Sequence, residues 1–389
     1  MREVSPDVGF KNVLILHDAP LDEWKGTQRS LLEYGNMLTE SGFRVTYVSP
    51  ATFKRPDEAK ITLKVEIKFK VLKLRLRRFV VYFVPRSVLS SLKHGLIYVS
   101  TFNTFPLIPI KSRKIIFGSF VYGPEHENVS GTLRKTKILI KKKIFQLSIR
   151  FYPPKSVCFH ALNPTQAEWL KALTRNRFEV FTVPPPVDCS KYFYLEQPPL
   201  RDGKFNVLYL GPLTVEKGFA DFASIVNEAN STDLSESIEF SVLSVGGPLW
   251  GLARELTKKW KNVHFYESSE EGEKIDFLRR NHILVSPSKV ENFHFVTAEA
   301  QLCGLPAISS NISGPRSIII QSQTGFLVPT GDIKGFVDKI TEYLELWKSE
   351  PDHFLELRKN ISSVSKRFCS EVTLPEFKKM VDFMVNHTD

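Results

Sequence analysis

Hydrophobic positions along the chain alternate between short apolar runs and stretches with helical spacing. Residues 12–20 form an apolar run that ends in turn-forming residues, which is typical of a buried parallel strand. Residues 27–42 then place Leu31 and Leu38 on one face of a predicted helix. A second apolar run, residues 43–50, predicts the next strand. This order predicts a βαβ unit at the start of the chain.

The same alternation continues through both halves. Further strands are predicted at 95–102, 114–120, 156–163, 179–188, 205–211, 239–247, 262–268, 282–288, 306–310 and 325–329, and further helices at 217–230, 249–260 and 273–281. Residues 60–83 instead alternate basic and apolar positions with period two, which predicts a strand pair with one basic face. Alternating strands and helices predict an α/β fold with two doubly wound domains.

Length and composition fit two globular domains. A chain of 389 residues is too long for one ordinary core, and 42% hydrophobic with 24% charged residues is typical of globular proteins. The polar, proline-rich stretch at residues 195–204 predicts the linker between them. The net charge of +11 favours anionic partners, namely nucleic acid, anionic lipid or phosphorylated ligands.

The cysteines and the apolar runs indicate a cellular compartment. The four cysteines lie far apart, with no CxxC or Cys/His pairing, which argues against a zinc site or a disulfide framework. This pattern favours a reducing compartment. No run approaches the roughly 18 apolar residues that a membrane span needs, and the first ten residues lack a signal-peptide core. We therefore expect a cytoplasmic protein.

Ligands of doubly wound sheets bind beyond the carboxyl ends of the strands. One such loop has Gly211 at the strand end and Lys217 at the start of the next helix, where the helix dipole disfavours a cation. A bound anion would reverse that cost, although a solvated surface lysine is the alternative. The paired glycines in residues 244–248 permit close backbone approach but are equally typical of a plain turn.

A second loop, residues 288–306, leads into a short predicted helix that begins near Phe293 or His294 and ends at Gly304. The amides of His294, Phe295 and Val296 precede the first intrahelical hydrogen bond, so they form a natural phosphate site.

Two glutamates flank the start of this helix. Glu299 shares an inward face with Phe295 and Leu302, and a buried carboxylate needs hydrogen-bond donors, which sugar hydroxyls would supply. The alternative is that Glu299 pairs with a buried arginine or lysine. Glu291, in the preceding loop, could reach the far side of a bound phosphate. An internal cation bound to Glu299, or a Lys217 that points away from the site, would remove the basis for predicting an enzyme from these residues.

These residues resemble a known family. The segment ENFHFVTAE, residues 291–299, is similar to the E-x7-E signature of retaining GT-B glycosyltransferases, particularly glycosyltransferase family 4. Residues 207–218 resemble the family's lysine-bearing loop, and 183–193 resemble its domain-joining segment. The resemblance implies a GT-B fold in which two Rossmann-like domains face each other across a cleft. It implies an acceptor domain at 1–197, a nucleotide-sugar domain at 198–368 and a final segment, 369–389, that crosses back to the first domain.

The resemblance also implies roles for individual residues. Lys217 would contact the donor diphosphate beside Gly211, and Glu299 would bind the ribose hydroxyls. Glu291 would lie near the transferred sugar as a catalytic residue together with Lys217. The amides that follow it, at residues 294–296, would hold sugar and phosphate. Gly26, in the first loop, would bring its backbone near the phosphates.

Three positions depart from the family's pattern. Pro212 stands where the family usually has arginine, so one of two diphosphate cations is missing. His294 replaces a glycine near the donor sugar. In the first domain, Ser119 or Phe120 occupies the place of the usual histidine, and His126 is the candidate substitute. A histidine in a surface loop is the alternative for His126.

The predicted reaction moves a sugar from a nucleoside diphosphate donor to a hydroxyl of a lipid-linked or glycan acceptor, with retention of configuration. We expect no cofactor and no metal, since no Asp-x-Asp pair stands at a strand end. The alternatives are a GT-B protein that only binds nucleotide sugar or glycan, and a GT-B epimerase or phosphorylase. Nucleic acid is not an expected partner, because aromatic residues are not spaced through the basic patches.

A membrane surface is a further predicted partner. Between Arg134 and Arg150 there are seven basic and no acidic residues, interleaved with apolar ones. Residues 132–155 therefore predict a basic amphipathic helix lying on the anionic inner face of the cell membrane. The alternative is a packing helix with a basic outer face. Equal, negligible sedimentation with anionic and neutral vesicles would remove the membrane prediction.

Overall fold

The computed structural model describes residues 12–17, 26–48, 72–76, 79–83, 95–100, 114–118, 143, 145–147, 149–151, 154–195 and 203–386. The chain divides into two compact units: Met1–Pro186 with Thr373–Asp389 form the first unit, and Val187–Val372 form the second. This boundary precedes the predicted linker at 195–204, most of which lies outside the described residues. The reason is local pairing, because the Val187 amide already donates to the carbonyl of Phe368, at 2.9 Å, within the second unit.

The first unit is built on a six-stranded parallel sheet in the order β2-β1-β5-β6-β7-β8. Its strands are β1 Asn12–Leu16, β2 Arg44–Val48, β5 Leu96–Val99, β6 Lys114–Gly118, β7 Val157–Ala161 and β8 Glu179–Thr182. The basic stretch forms a separate antiparallel pair, β3 Leu72–Leu76 with β4 Phe79–Phe83, so the predicted strand pair is confirmed. The inner strands are buried along almost their whole length, which is why they appear in the sequence as continuous apolar runs.

Of the helices whose bounds the structure describes, three belong wholly or mostly to the first unit: α1 Gly26–Glu40, α2 Pro164–Thr174 and the final helix, α10 Ser370–Asn386. Short 3-10 turns occur at Ile149–Phe151 and Pro154–Ser156. The final helix packs against the core, where Phe377 stacks on Tyr34 of α1 with ring centroids 3.8 Å apart. In addition, the Lys114 ammonium donates to the carbonyl of Val385, at 3.0 Å. These contacts are the reason that the end of the chain belongs to the first unit.

The predicted membrane-binding segment is described only in part. Phe145 and Ile149 lie in the core of the first unit, where Phe145 makes edge contacts with Phe117 and Phe159. For these two side chains the membrane prediction is wrong, because their apolar surface is already covered by the sheet. Leu147, by contrast, is 55% exposed. Residues 132–142, 144, 148 and 152–153 of the segment lie outside the described residues.

The second unit contains another six-stranded parallel sheet, in the order β11-β10-β9-β12-β13-β14. Its strands are β9 Phe205–Leu210, β10 Ile238–Ser244, β11 Val263–Glu267, β12 Ile283–Ser286, β13 Ala307–Ser310 and β14 Gly325–Val328. Its helices are α3 Phe219–Asn230, α4 Trp250–Lys259, α5 Glu271–Arg280, α6 Phe295–Leu302, α7 Ser313–Arg316, α8 Ile333–Ser349 and α9 Pro351–Ser365, with 3-10 turns at Asp233–Glu236 and Lys366–Phe368. All six predicted strands and the four predicted helices of this half are present. Helices α7, α8 and α9 were not predicted.

Two cysteines of the second unit form a disulfide, which corrects the expectation of a chain without one. Cys189 and Cys369 are bonded, with their Cα atoms 5.4 Å apart. They are separated by 180 residues in sequence, so spacing alone could not reveal the pair. A parallel bridge between Val187 and Cys369 brings the two segments together. Among the described helices, none combines the length and apolarity needed to cross a membrane.

Candidate active site

Strands β9 and β12 are neighbours in the centre of the second sheet, and the chain leaves them in opposite directions. After β9 it continues to β10 on one side, and after β12 it continues to β13 on the other. Doubly wound folds bind ligands where the strand order reverses in this way, because the diverging loops leave room at the carboxyl ends of the strands. Both predicted loops start from these two strands.

Glycines allow the loop after β9 to lie close against its neighbour. Gly211 and Gly218 have φ angles of +153° and +72°, which other residues rarely adopt. A Cβ atom on Gly218 would lie 1.9 Å from the carbonyl oxygen of Pro287, which follows β12. The amide of Lys289 in turn donates to the carbonyl of Glu216, at 2.9 Å. The two loops are therefore held in direct backbone contact.

This contact brings Lys217 and Glu291 together. The Lys217 ammonium lies 2.6 Å from Oε1 of Glu291, whose side chain is 8% exposed, while that of Lys217 is 38% exposed. The backbone of Glu291 is held from behind, since its carbonyl accepts from the amide of Gly314, at 3.1 Å. A Cβ atom at Gly314 would lie 2.8 Å from that of Glu291. The structure thus unites two predicted site residues that are separated by 74 positions.

The charges of this cluster follow from its environment. Burial raises the pKa of Glu291, but the Lys217 ammonium with its hydrogen bond, together with His294 and a hydrogen bond from Ser288, more than offsets burial, so the pKa lies below its usual value. Burial lowers the pKa of His294 to about 4, despite the opposing effect of Glu291. At neutral pH the imidazole is therefore uncharged, and Lys217 is the cation that keeps Glu291 ionised.

The His294 side chain is buried beside Glu291 rather than exposed at the helix start. Its Nδ1 lies 2.6 Å from the Thr297 hydroxyl, and its Nε2 lies 3.2 Å from the Ser286 hydroxyl and 3.5 Å from Oε1 of Glu291. Because each hydroxyl can donate or accept, either tautomer of the ring is satisfied. The ring fills the space that a glycine would leave open next to the carboxylate.

Helix α6 begins at Phe295, one or two residues after the predicted start, with His294 as its N-cap residue. The amides of Thr297 and Ala298 both donate to the carbonyl of His294, at 3.0 and 3.2 Å. The amides of residues 294–296 therefore come before the first intrahelical bond and are oriented as helix-terminal donors. Glu291 lies beside both the Lys217 ammonium and His294, the N-cap residue of α6. The ammonium and the helix N-terminus are therefore close together, and both bind phosphate groups.

Glu299 lies one turn further along α6 and is 2% exposed. Its Oε2 is 2.9 Å from the ammonium of Lys274 on α5. This is the alternative that the sequence left open, a buried carboxylate paired with an internal cation, so Glu299 no longer supports the prediction of an enzyme by itself. A carboxylate offers about four acceptor positions, so the pair does not by itself prevent Glu299 from also accepting hydrogen bonds from a ligand. Ribose binding by Glu299 stays a prediction.

Sequence reasoning did not single out Lys274. It lies on a helix with several other charged residues, and no local signal distinguishes it from a solvated lysine. Only the packing of α5 beside α6 shows that it reaches a buried carboxylate. The signal that could have found this pair is a glutamate predicted to be buried on one helix together with a lysine near the start of the preceding helix.

Of the remaining predicted residues, which belong to the first half of the chain, only Gly26 is among the described residues. Gly26 is the first residue of α1, and its carbonyl accepts from the Ser30 hydroxyl, at 3.0 Å. His126, Ser119 and Phe120 lie outside the described residues. Where the strand order of the first sheet reverses, between β1 and β5, Nδ1 of His17 lies 2.7 Å from the Ser100 hydroxyl, a pair that the sequence analysis missed.

One group of three potential metal ligands occurs among the described residues, and it is distant in sequence from Lys217 and Glu291. It consists of Cys189, Cys369 and Glu371. The two sulfur atoms are bonded to each other, so they do not offer thiolates to a metal. The expectation that the candidate site requires no metal stays a prediction.

Known proteins resemble this chain most clearly in its second unit. Residues 193–367 match the family model described as glycosyl transferases group 1. A curated relative, the 2-deoxystreptamine N-acetyl-D-glucosaminyltransferase of Niallia circulans, is 28% identical over 144 residues, which cover 36% of each protein. The chain thus spans well under half the length of the curated relatives that it matches.

Solved structures share the whole architecture. The sucrose-phosphate synthase of Thermosynechococcus elongatus aligns with a TM-score of 0.75 and 15% identity over 96% of this chain and 98% of that one. HepE of Anabaena, solved in complex with UDP and glucose, aligns with a TM-score of 0.63 and 12% identity over 96% and 99%. Together with the two parallel six-stranded sheets, these alignments identify the fold as GT-B.

Proposed function

Because residues 193–367 belong to the glycosyl transferases group 1 family, we propose that the protein transfers a sugar from a nucleoside diphosphate donor to an acceptor hydroxyl. The proposal includes retention of anomeric configuration and an acceptor that is a glycan or is linked to a lipid. The first unit would bind the acceptor and the second the donor. The relatives named above include a glycosyltransferase and a protein solved with UDP and glucose, which supports the class of donor.

The observation that carries this proposal is the meeting of Lys217, Glu291 and the start of α6 at the strand-order reversal of the second sheet. A lysine beside a carboxylate would be an ordinary ion pair on a protein surface. Here the carboxylate is 8% exposed and adjoins helix-terminal amides that precede the first intrahelical bond. A donor diphosphate supplies the negative charge that both the ammonium and these amides would bind.

The residues suggest how the reaction proceeds. The bond between the anomeric carbon and the diphosphate oxygen breaks, and a bond from that carbon to the acceptor oxygen forms. Lys217 and the amides of residues 294–296 stabilise the charge that develops on the departing diphosphate. The acceptor's proton passes to an oxygen of that diphosphate, so no strong base from the protein is required. Since the ammonium has three donors, it can bind Glu291 and a phosphate together.

Glu291 is suited to the sugar side of this site. Lys217 keeps its carboxylate ionised at neutral pH, as the lowered pKa indicates. An ionised carboxylate accepts hydrogen bonds from the hydroxyls of the transferred sugar and favours positive charge that develops near the anomeric carbon. The uncharged His294 ring, packed beside it, restricts the space available to the sugar.

The test begins with a thermal-shift screen against UDP-, ADP- and GDP-sugars, since a ligand that binds the folded state raises its melting temperature. Donor hydrolysis and transfer are then measured for the wild type and for Glu291→Gln. Asp221→Asn is the matched control, because Asp221 pairs with Lys289 at 3.0 Å without joining the cluster. We expect transfer by the wild type and the control, and a loss of about 100-fold or more in Glu291→Gln. Proton NMR of the product tests retention.

A second candidate is a GT-B protein that binds nucleotide sugar or glycan without turnover. Pro212 motivates it, because a proline replaces a cation in the loop after β9, and the carbonyl of Pro212 is already bonded to the Tyr209 hydroxyl, at 2.9 Å. Thermal stabilisation by a nucleotide sugar without hydrolysis or transfer would favour this candidate. An absence of stabilisation by every donor would contradict both functions.

A further inference from the structure

The Lys274–Glu299 pair lies deeper in the second unit than most lysine–carboxylate pairs described there. The side chain of Glu299 is 3% exposed and that of Lys274 is 23% exposed. By comparison, the side chains of Lys191 and Glu271 are 48% and 32% exposed. A charge at this depth costs free energy unless it is paired, and an apolar pair would join the two helices at least as stably. Helix packing alone therefore gives little reason for a charged pair here.

Lys274 is itself held in place by an aromatic ring. Its ammonium lies 4.9 Å from the ring centroid of Tyr192, a side chain that is fully buried. The Tyr192 hydroxyl donates to Oε1 of Glu271, at 3.1 Å, at the start of the same helix. The flexible stem of the lysine is thereby fixed between a buried ring and Glu299, so the ammonium in turn fixes the orientation of the carboxylate.

Glu299 stands at the distance from the phosphate site that a nucleotide would span. It lies one helical turn, about 5.4 Å along the axis, from the start of α6. In a nucleoside diphosphate the ribose follows directly after the phosphates. A carboxylate that is held rigidly can accept from both hydroxyls of a ribose, whereas ordering a mobile carboxylate on binding costs affinity for the ligand.

We propose that Lys274 is a positioning residue for nucleotide binding: it does not touch the nucleotide but holds the Glu299 carboxylate in the orientation that accepts from the ribose hydroxyls. This inference rests on the proposed function, because it requires a nucleoside diphosphate at the start of α6. According to this proposal, the ion pair with Lys274 does not block ribose binding by Glu299 but orients the carboxylate for it. Tyr192 contributes indirectly by fixing Lys274.

The experiment measures how much more tightly the protein binds a ribonucleotide than the same nucleotide without its 2′- and 3′-hydroxyls. UDP, ADP and GDP are titrated calorimetrically into the full chain, and the tightest ligand is compared with its 2′,3′-dideoxy counterpart. In the wild type, hydrogen bonds to an ionised carboxylate should favour the ribonucleotide by about 10- to 100-fold. In Lys274→Met this ratio should fall below about threefold, chiefly through weaker binding of the ribonucleotide.

The control is Lys191→Met, an identical substitution of a lysine that pairs with Glu271 on the same helix, at 2.9 Å, and not with Glu299. It should keep the wild-type ratio. Because the ratio is internal to each variant, a general loss of stability does not change it. If Lys274→Met fails to fold, Lys274→Gln, which keeps a donor but not the charge, is measured instead.

The possible results distinguish a failure of the role proposed for Lys274 from a failure of the proposed sugar transfer. A wild-type ratio that persists in the Lys274 variants would show a purely structural ion pair and overturn the proposal, as would the failure of both neutral variants to fold. A wild type that binds ribo- and dideoxynucleotides equally would overturn it too, while leaving sugar transfer possible. If the wild type binds none of the three nucleotides, the proposed function itself is wrong and this inference fails with it.

Discussion

The two units share a six-stranded parallel sheet but differ where the strand order reverses. In the first unit, the ends of β1 and β5 bring together the imidazole of His17 and the hydroxyl of Ser100, 2.7 Å apart. In the second, the loops after β9 and β12 bring together the charged side chains of Lys217 and Glu291. The same sheet topology therefore carries different side chains at the two strand-order reversals. The sheet fixes where a site can form, and the residues of the loops determine which chemical groups it contains.

The interiors of the two units show a related difference. In the first unit, buried polar groups sit among aromatic rings, as in Tyr98, whose hydroxyl lies 2.7 Å from Nδ1 of His160. In the second unit, two buried carboxylates lie on one short helix and the loop before it, where Glu291 and Glu299 each meet a lysine. Perturbed and charged groups concentrated at a strand-order reversal are typical of a functional site. The second unit is therefore where we expect the substitutions with the largest effects on ligand binding.

The largest effect is expected from Lys217→Met. Loss of the ammonium removes a charge-assisted contact to the departing diphosphate, so kcat should fall by about 100- to 1000-fold. Lys289→Met is the matched control, since Lys289 has similar exposure and pairs with Asp221, and it should change kcat by less than about threefold. Steady-state assays of diphosphate release measure both.

A substitution in the first unit tests whether donor binding is confined to the second unit. Ser100→Ala removes the contact to His17 at the equivalent reversal and should leave the affinity for a nucleoside diphosphate unchanged in calorimetry. A loss as large as that of Lys217→Met would contradict the assignment of donor binding to the second unit.

A smaller effect is expected from removal of the disulfide in the second unit. Cys189→Ser with Cys369→Ser should lower the free energy of unfolding of this unit by about 2–5 kcal/mol, because the bond closes a loop of 180 residues. Cys158→Ser is the control: Cys158 is a free, buried thiol of the first unit, and this change should act on the first unit alone. Urea denaturation followed by peptide-resolved hydrogen exchange distinguishes the units. A doubly substituted protein as stable as the wild type would show that the bond contributes nothing under the conditions of the assay.

The smallest difference is expected in the response to acid. Burial lowers the pKa of His160 in the first unit to about 4, and the pKa values of His282 and His294 in the second to about 3 and about 4. Each unfolded histidine, with a pKa near 6.5, binds a proton that the folded one does not. Their stabilising contribution is thus complete above pH 6.5 and is lost progressively as the pH falls toward 4.

Between pH 7 and pH 5 this corresponds to about 2 kcal/mol for each histidine, so the second unit should lose about twice as much stability as the first from this cause. Denaturation at the two pH values, read by hydrogen exchange corrected for intrinsic rates, measures the difference. His353→Asn is the control, because the side chain of His353 is 62% exposed and its replacement leaves the buried histidines of both units in place. Equal losses in both units would contradict the prediction.

How much was predictable depended on the range of the interactions. Helix α6 could be placed to within two residues, because its end is marked by Gly304, which has a φ angle of +76°, and its apolar residues recur with helical spacing. The meeting of Lys217 with Glu291 was predictable from strand ends, since neighbouring parallel strands bring their loops to one edge of a sheet. The disulfide and the core position of Phe145 were not, because both depend on partners distant in sequence.

By itself, the sequence determined the alternation of strands and helices, the division into two doubly wound units and the loops in which chemically active residues lie. These features depend on local periodicity, turn residues and the apolar content of each run. The tertiary structure decided which residue neutralises each buried glutamate, that the His294 ring turns inward, and that Cys189 reaches Cys369. These features depend on contacts between segments up to 180 residues apart in sequence. The local pattern of apolar and polar residues does not show which distant segments come into contact.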